Sequence, residues 1–122
     1  MSITGIAHVQ VAITPGGERS ARAFYGGLLG MRALAKPETL ADRGGCWFAC
    51  GEQEVHCGVE PEVVATRRHP AFTTDDLDGL EARLEANAVA VLHDRPLPGW
   101  KRFYTTDPFG NRLEFLQRNE ED

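Results

Sequence analysis

Phe103-Tyr104-Thr105-Thr106-Asp107-Pro108-Phe109-Gly110-Asn111-Arg112-Leu113-Glu114-Phe115 reads as a strand, a tight turn and a second strand. Proline presets φ at the second position of the Asp-Pro-Phe-Gly turn, and glycine accepts a positive φ. The run after the turn alternates, so Leu113 and Phe115 point to one face and Arg112, Glu114 and Leu116 to the other. A carboxylate is therefore held in mid-strand between two apolar residues. A buried acid needs a partner, a proton or a metal.

Working outward, Val89 to Leu92 reads as the strand before this hairpin, and Asp94 to Gly99 as a proline-rich loop. Thr74, Asp75 and Asp76 offer N-caps to a helix carrying Leu77, Leu80 and Leu84 and ending near Asn87. His69 to Thr73 reads as a strand that Pro70 confines to a sheet edge. The same order occurs earlier in the chain. Ile6 to Ile13 is a strand with alternating Val9, Val11 and Ile13, and Glu18 to Leu29 is a helix with Ala21, Phe24, Tyr25 and Leu28 on one stripe. Gly30 stops that helix. Three strands follow, at Met31 to Leu34, Cys46 to Cys50 and Glu54 to Val59.

The expected fold class is thus α+β, two β-α-β-β-β modules forming a curved mixed sheet around a ligand cleft. The whole chain, 1–122, is expected to be a single domain, with module 1 at about 1–62 and module 2 at about 66–118. At 122 residues it can bury a core without disulfides. A net charge of -5 leaves no basic stripe for phosphates, so no nucleic-acid partner is expected. Cys46, Cys50 and Cys57 have no zinc-ribbon spacing and suggest a reduced compartment. Met1 to Gly5 does not read as a secretion signal, and no apolar run reaches membrane-spanning length, so the expectation is a cytoplasmic protein with no membrane partner.

The repeat pairs four chemistry-bearing residues. His8 and His69 each stand early in the first strand of a module, 61 residues apart. His56 and Glu114 each stand inside the last strand of a module. All four have strand parity opposite to the neighbouring apolar set, so all face the cavity side. Imidazole nitrogens with a carboxylate suit divalent Zn, Fe, Ni, Co or Mn, and open positions would polarise a substrate carbonyl. An isolated strand histidine is more often a hydrogen-bonded structural residue, but four in register across a repeat argue for a shared role. Glycine at Gly58, on the same face as His56, is expected to leave room for a ligand. Asp75, Asp76 and Asp78 lack EF-hand spacing and suit a helix start instead. Glu120-Glu121-Asp122 reads as an acidic, fraying end.

These features resemble the vicinal oxygen chelate superfamily, the glyoxalase, bleomycin-resistance and extradiol-dioxygenase group. The resemblance is carried by Ile6-Ala7-His8-Val9, by Phe24-Tyr25 with Leu28-Leu29-Gly30-Met31, by His69 with Ala71-Phe72, and by the Phe103 to Glu114 hairpin. It implies a metal triad of His8, His69 and Glu114. His56 falls where glyoxalase I-like members place a carboxylate and where dioxygenases have no ligand, so it is either a fourth ligand or a nearby acid/base. Tyr104 resembles a substrate-facing tyrosine of fosfomycin-modifying enzymes. Those enzymes continue past their glutamate with further basic residues, so fosfomycin itself is not the expected substrate.

The resemblance implies a metal-dependent enzyme acting on a small oxygenated metabolite, by bidentate chelation to the metal, in a glyoxalase, lyase or isomerase-like reaction. Glu114, His56 and Tyr104 are the candidate catalytic residues. Gln10, Trp100, Arg102 and Arg112 are the candidate ligand-binding residues. A homodimer is expected, since an open curved sheet leaves edges to cover. The alternative is a protein that sequesters an antibiotic-type small molecule without catalysis.

Overall fold

The computed structural model describes residues 1–120 of the chain, so Glu121 and Asp122 of the expected acidic end lie outside the described residues. The chain is α+β, with one mixed sheet of four strands and another of three. It divides into two compact units, Met1–Val63 and a second beginning at Val64.

In the first unit, β1 (His8–Ile13), β2 (Arg32–Leu34), β3 (Cys46–Cys50) and β4 (Gln53–Val59) lie in the order β1-β4-β3-β2. β1 and β4 are parallel, with Gln10 opposite His56 and Val11 opposite Cys57; β3 and β4 are antiparallel, with Trp47 opposite His56. The odd residues of β1 bury Val11 and Ile13, and the even residues of β3 bury Cys46 and Phe48. Against that face lies a helical segment that starts as α1 (Glu18–Ala21) and widens into a π-helix at Arg22–Leu28. The widening is marked by Leu29 N–H donating to Phe24 C=O at 2.9 Å, one residue further than an α-helix allows. Gly26 and Gly27 occupy the centre of this stretch, where they contribute no side chains and little α preference. Tyr25, fully buried, meets Phe24 edge-on at 5.0 Å and Phe48 at 5.9 Å.

A 3₁₀ turn at Glu38–Arg43 connects β2 to β3 and ends on Gly44 and Gly45, both at positive φ. Gly45 is required twice over. Its φ is +84°, and a Cβ there would collide with the Cys57 carbonyl. Its N–H donates to Glu18 Oε2 at 2.7 Å, which ties the loop to the start of α1.

In the second unit, β5 (Ala71–Thr73), β6 (Trp100–Thr106) and β7 (Arg112–Arg118) lie in the order β5-β7-β6, so β5, entered directly from Pro70, is an edge strand. Phe72, Phe103, Leu113 and Phe115 are buried on one face, with Phe115 5.4 Å from Phe72 and 5.6 Å from Phe103. Helix α2 (Leu77–Ala86) lies beside β7 and buries Leu77 and Leu84. Asp76 caps it by accepting from Gly79 N–H at 3.0 Å, and Gln117 of β7 grips its start, accepting from Leu77 N–H at 2.9 Å. The strand expected at Val89 to Leu92 shrinks to one bridge, Leu92 with Tyr104. Ala88 at φ +62° turns the chain abruptly after the helix, and the Pro96 loop follows before a ladder can extend.

Asp107 builds the turn that closes the hairpin. Its Oδ1 accepts from the N–H groups of Phe109 and Asn111, each at 2.9 Å, and its Oδ2 from Asn111 Nδ2 at 2.7 Å. Gly110 sits at φ +93°. The turn therefore delivers Glu114 to a fixed place on β7.

Candidate functional site

In the first unit, His8, Gln10, Glu54, His56 and Trp47 share one sheet face by register. The His56 ring lies between two others: Trp47 at 3.8 Å with planes 3° apart, and His8 at 3.9 Å with planes 15° apart. His56 is 7% exposed, and its Nε2 donates to Glu54 Oε1 at 2.8 Å. Two stacked imidazoles aim their nitrogen lone pairs along parallel planes, so in this arrangement one ion cannot lie in the plane of both. His8 is exposed, and among the described residues neither of its ring nitrogens hydrogen-bonds. Gly58 does leave room, and Gln10 takes it: a Cβ at Gly58 would collide with the Gln10 amide.

In the second unit, Glu114 is 7% exposed and sits opposite Ala71 of β5 and Tyr104 of β6. His69 Nε2 lies 3.0 Å from Glu114 Oε1, while His69 Nδ1 lies 2.9 Å from the Arg67 carbonyl. The Arg67 carbonyl can only accept, so it fixes the N–H at Nδ1 and turns Nε2 toward Glu114. An imidazole whose Nδ1–H is held by a backbone carbonyl is oriented as metal-ligating imidazoles are. The donor set, one imidazole nitrogen and one carboxylate oxygen, fits a divalent transition metal. Among the described residues, no three His, Cys, Asp or Glu side chains are grouped to hold a metal ion.

Arg102 organises the rest of this face. Its Nη1 donates to Tyr104 Oη at 2.9 Å and to Glu114 Oε2 at 3.1 Å, and its Nη2 to the Arg95 carbonyl at 2.9 Å. The Glu114 carboxylate raises the guanidinium pKa above the ordinary arginine value. Arg102 Nε is buried without a hydrogen-bond partner among the described residues. Arg112 lies over the Tyr104 ring at 4.1 Å. Trp100 stands at the far end of β6, opposite Arg118, whose guanidinium covers its ring at 4.2 Å. Of the candidate ligand-binding residues, Gln10 keeps its polar group unengaged among the described residues, whereas Arg102 uses its fork internally.

A cavity of about 240 Å³ opens in the first unit, walled by Gln10, Trp47 and His56 together with Lys36, Leu40 and Arg43 of the β2–β3 loop. Sequence reading missed Trp47, Lys36 and Arg43. Trp47 was accessible to it, since its parity is opposite to that of Cys46 and Phe48. The two loop cations carried no periodic signal. No disulfide joins the cysteines of the described residues; Cys46 and Cys57 stand opposite each other on β3 and β4, and a hydrogen bond with Cys57 draws the Cys46 thiol down to about 7. Burial pushes the Cys50 thiol up.

The model of the glyoxalase/bleomycin resistance protein/dioxygenase superfamily matches residues 5–115. The chain belongs to that superfamily. A glyoxalase family protein from Bacillus anthracis is 48% identical, with 98% of each chain covered and a TM-score of 0.92. A lactoylglutathione lyase from Agrobacterium tumefaciens has a TM-score of 0.71 at 23% identity, with 95% of each chain covered. A mutant fosfomycin resistance protein from Listeria monocytogenes, complexed with Mn(II) and a dihydroxypropylphosphonic acid, has a TM-score of 0.80 at 17% identity, covering 98% of this chain and 95% of that one. The latter two share the fold. No curated protein matches the chain. Among the described residues, no helix is long and apolar enough to cross a membrane.

Proposed function

We propose that the protein is a metal-dependent enzyme acting on a small oxygenated metabolite, in a lyase, isomerase or dioxygenase-like reaction, with His8, His69 and Glu114 as ligands of a divalent metal. The observation that carries this reading is the His69 ring, held by the Arg67 carbonyl at Nδ1 with Nε2 directed at the buried Glu114 carboxylate. Metal chemistry among relatives supports it, as the Mn(II) complex of the Listeria protein illustrates. When bound, the metal would supply Lewis-acid polarisation of two neighbouring substrate oxygens.

The chain's own groups have distinct tasks in this proposal. Arg102 holds Glu114 Oε2 and so leaves Oε1 turned toward His69. By donating to the Tyr104 oxygen, Arg102 also leaves the phenolic O–H free to donate to a substrate oxygen. His56 is proposed as a positioning residue that fixes the His8 ring by stacking, with direct ligation the competing role tested below. Gln10 and Arg112 border the substrate, and Trp100 its rim. A cytoplasmic homodimer is part of the same reading, and light scattering at tens of micromolar should return twice the chain mass.

The decisive measurement is elemental analysis after metal saturation and desalting. The native protein should retain ~1 divalent ion per site, and Glu114→Gln should lose it, because a neutral amide is a much poorer ligand. If neither protein retains metal, the enzyme reading falls, and small-molecule sequestration without catalysis takes its place.

A further inference from the structure

The cavity in the first unit has a composition at odds with the rest of the chain. The protein carries 18 acidic residues against 13 basic ones, yet no Asp or Glu is among the residues lining this cavity, while Lys36 and Arg43 both are. Neither cation has a carboxylate within ion-pair distance among the described residues. Lys36 Nζ donates to the Gly44 carbonyl, which holds the ammonium at the loop's end. Arg43 has no hydrogen-bond or ion-pair partner there. Glu18 is near enough for Lys36 to help lower its pKa while also accepting from Gly45 N–H, so it offsets part of the Lys36 charge from outside the cavity lining. The lining itself presents two cations and, among the described residues, no anion.

The remaining walls define the other end of a ligand. Trp47 and His56 present stacked aromatic rings, Leu40 is apolar, and Gln10 offers a free amide able both to donate and to accept. At about 240 Å³ the cavity falls below the roughly 300–1,000 Å³ of sites for drug-sized ligands, so its occupant is small.

We propose that this cavity recognises a small planar organic carboxylate, with Lys36 and Arg43 binding the carboxylate and Trp47 and Gln10 the body of the molecule. The proposal rests on the enzyme reading only in taking this acid to be the substrate. The recognition belongs to first-unit side chains and needs no metal. A guanidinium matches a carboxylate by two parallel hydrogen bonds, and loop placement allows the two cations to close around it.

Benzoate and its neutral isostere benzamide serve as probes. Their dissociation constants would be measured by isothermal titration calorimetry, for as-purified and chelator-treated protein and for a Lys36→Met/Arg43→Met double variant. Benzoate should bind about ten-fold or more tighter than benzamide, with or without chelator, and the double variant should lose that preference. Equal binding of the two probes, or a preference that survives in the double variant, would overturn the proposal. A preference lost on chelation but kept in the double variant would also overturn it, assigning the carboxylate to the metal and leaving the enzyme reading intact. Metal analysis of the same samples reports separately on the metal reading.

Discussion

The polar faces of the two units carry the same register and opposite chemistry. His8 lies two residues before Gln10, the partner of His56 on the parallel last strand; His69 lies two residues before Ala71, the partner of Glu114. On the antiparallel side, Trp47 faces His56 and Tyr104 faces Glu114, so an aromatic stands at equivalent places. Two residues before the last-strand site stand Glu54 in one unit and Arg112 in the other. From that charge reversal the faces diverge. The first unit stacks two rings around a histidine held by Glu54, whereas the second gathers a carboxylate, an imidazole, a guanidinium and a phenol into one hydrogen-bonded network. A duplicated backbone supplies positions; the residues at a few of them decide between packing and chemistry.

The buried faces should behave alike where the polar faces differ. Phe48 and Phe103 are both fully buried. Phe48→Ala and Phe103→Ala should each cost about 3–5 kcal/mol in urea or guanidinium unfolding, the ordinary toll of an aromatic cavity. A cost below about 1 kcal/mol in one unit only would mean that its core is looser, and the comparison would then concern packing as much as polar chemistry.

A smaller effect tests what the stacked face contributes. If His56 positions His8, then His56→Ala should weaken metal binding by about 10–100-fold, the range for residues supporting a ligand. His56→Phe preserves a stacking ring but has no donor atom, so it should restore most of the affinity. If Phe fails as badly as Ala, His56 is a ligand, and the first unit supplies chemistry as the second does.

This contrast shows what could be read from residue order. The Asp107-Pro108-Phe109-Gly110 turn, the Asp76 cap and the alternation in β1, β4 and β7 are local effects, and local effects are written in consecutive residues. Parity also placed Glu114 and His56 opposite their apolar neighbours. The stack of Trp47, His56 and His8 was not legible, because which cross-strand residues meet depends on register, and periodicity leaves register open. The π-helical winding of Arg22–Leu28 left only Gly26-Gly27 as a trace. The cavity was hidden because Lys36 and Arg43 reach it from a loop, where residue spacing does not specify direction.

The smallest expected effect concerns where each unit keeps its ionic anchor. The second unit has one on the sheet face, in Arg102 and Glu114; the first has one at the loop margin, where Glu18 accepts from Gly45 N–H at 2.7 Å. That bond, chiefly, lowers the Glu18 pKa in the folded state, with its own backbone N–H adding to the effect. A carboxyl with a depressed folded pKa contributes stability that is present above its unfolded value, near 4.5, and is lost as pH falls through the folded value. Glu18 is only half-buried, so solvent screening keeps the contribution under about 1 kcal/mol. Glu18→Gln should therefore lower stability slightly at neutral pH, and its unfolding free energy should converge on that of the native protein as the pH drops below 4.5. The same loop carries Lys36 and Arg43, so the substitution should also weaken benzoate binding modestly at neutral pH by loosening the loop. If benzoate binding instead tightens, Glu18 acts mainly as a competing charge beside Lys36, and the loop holds its shape without that bond.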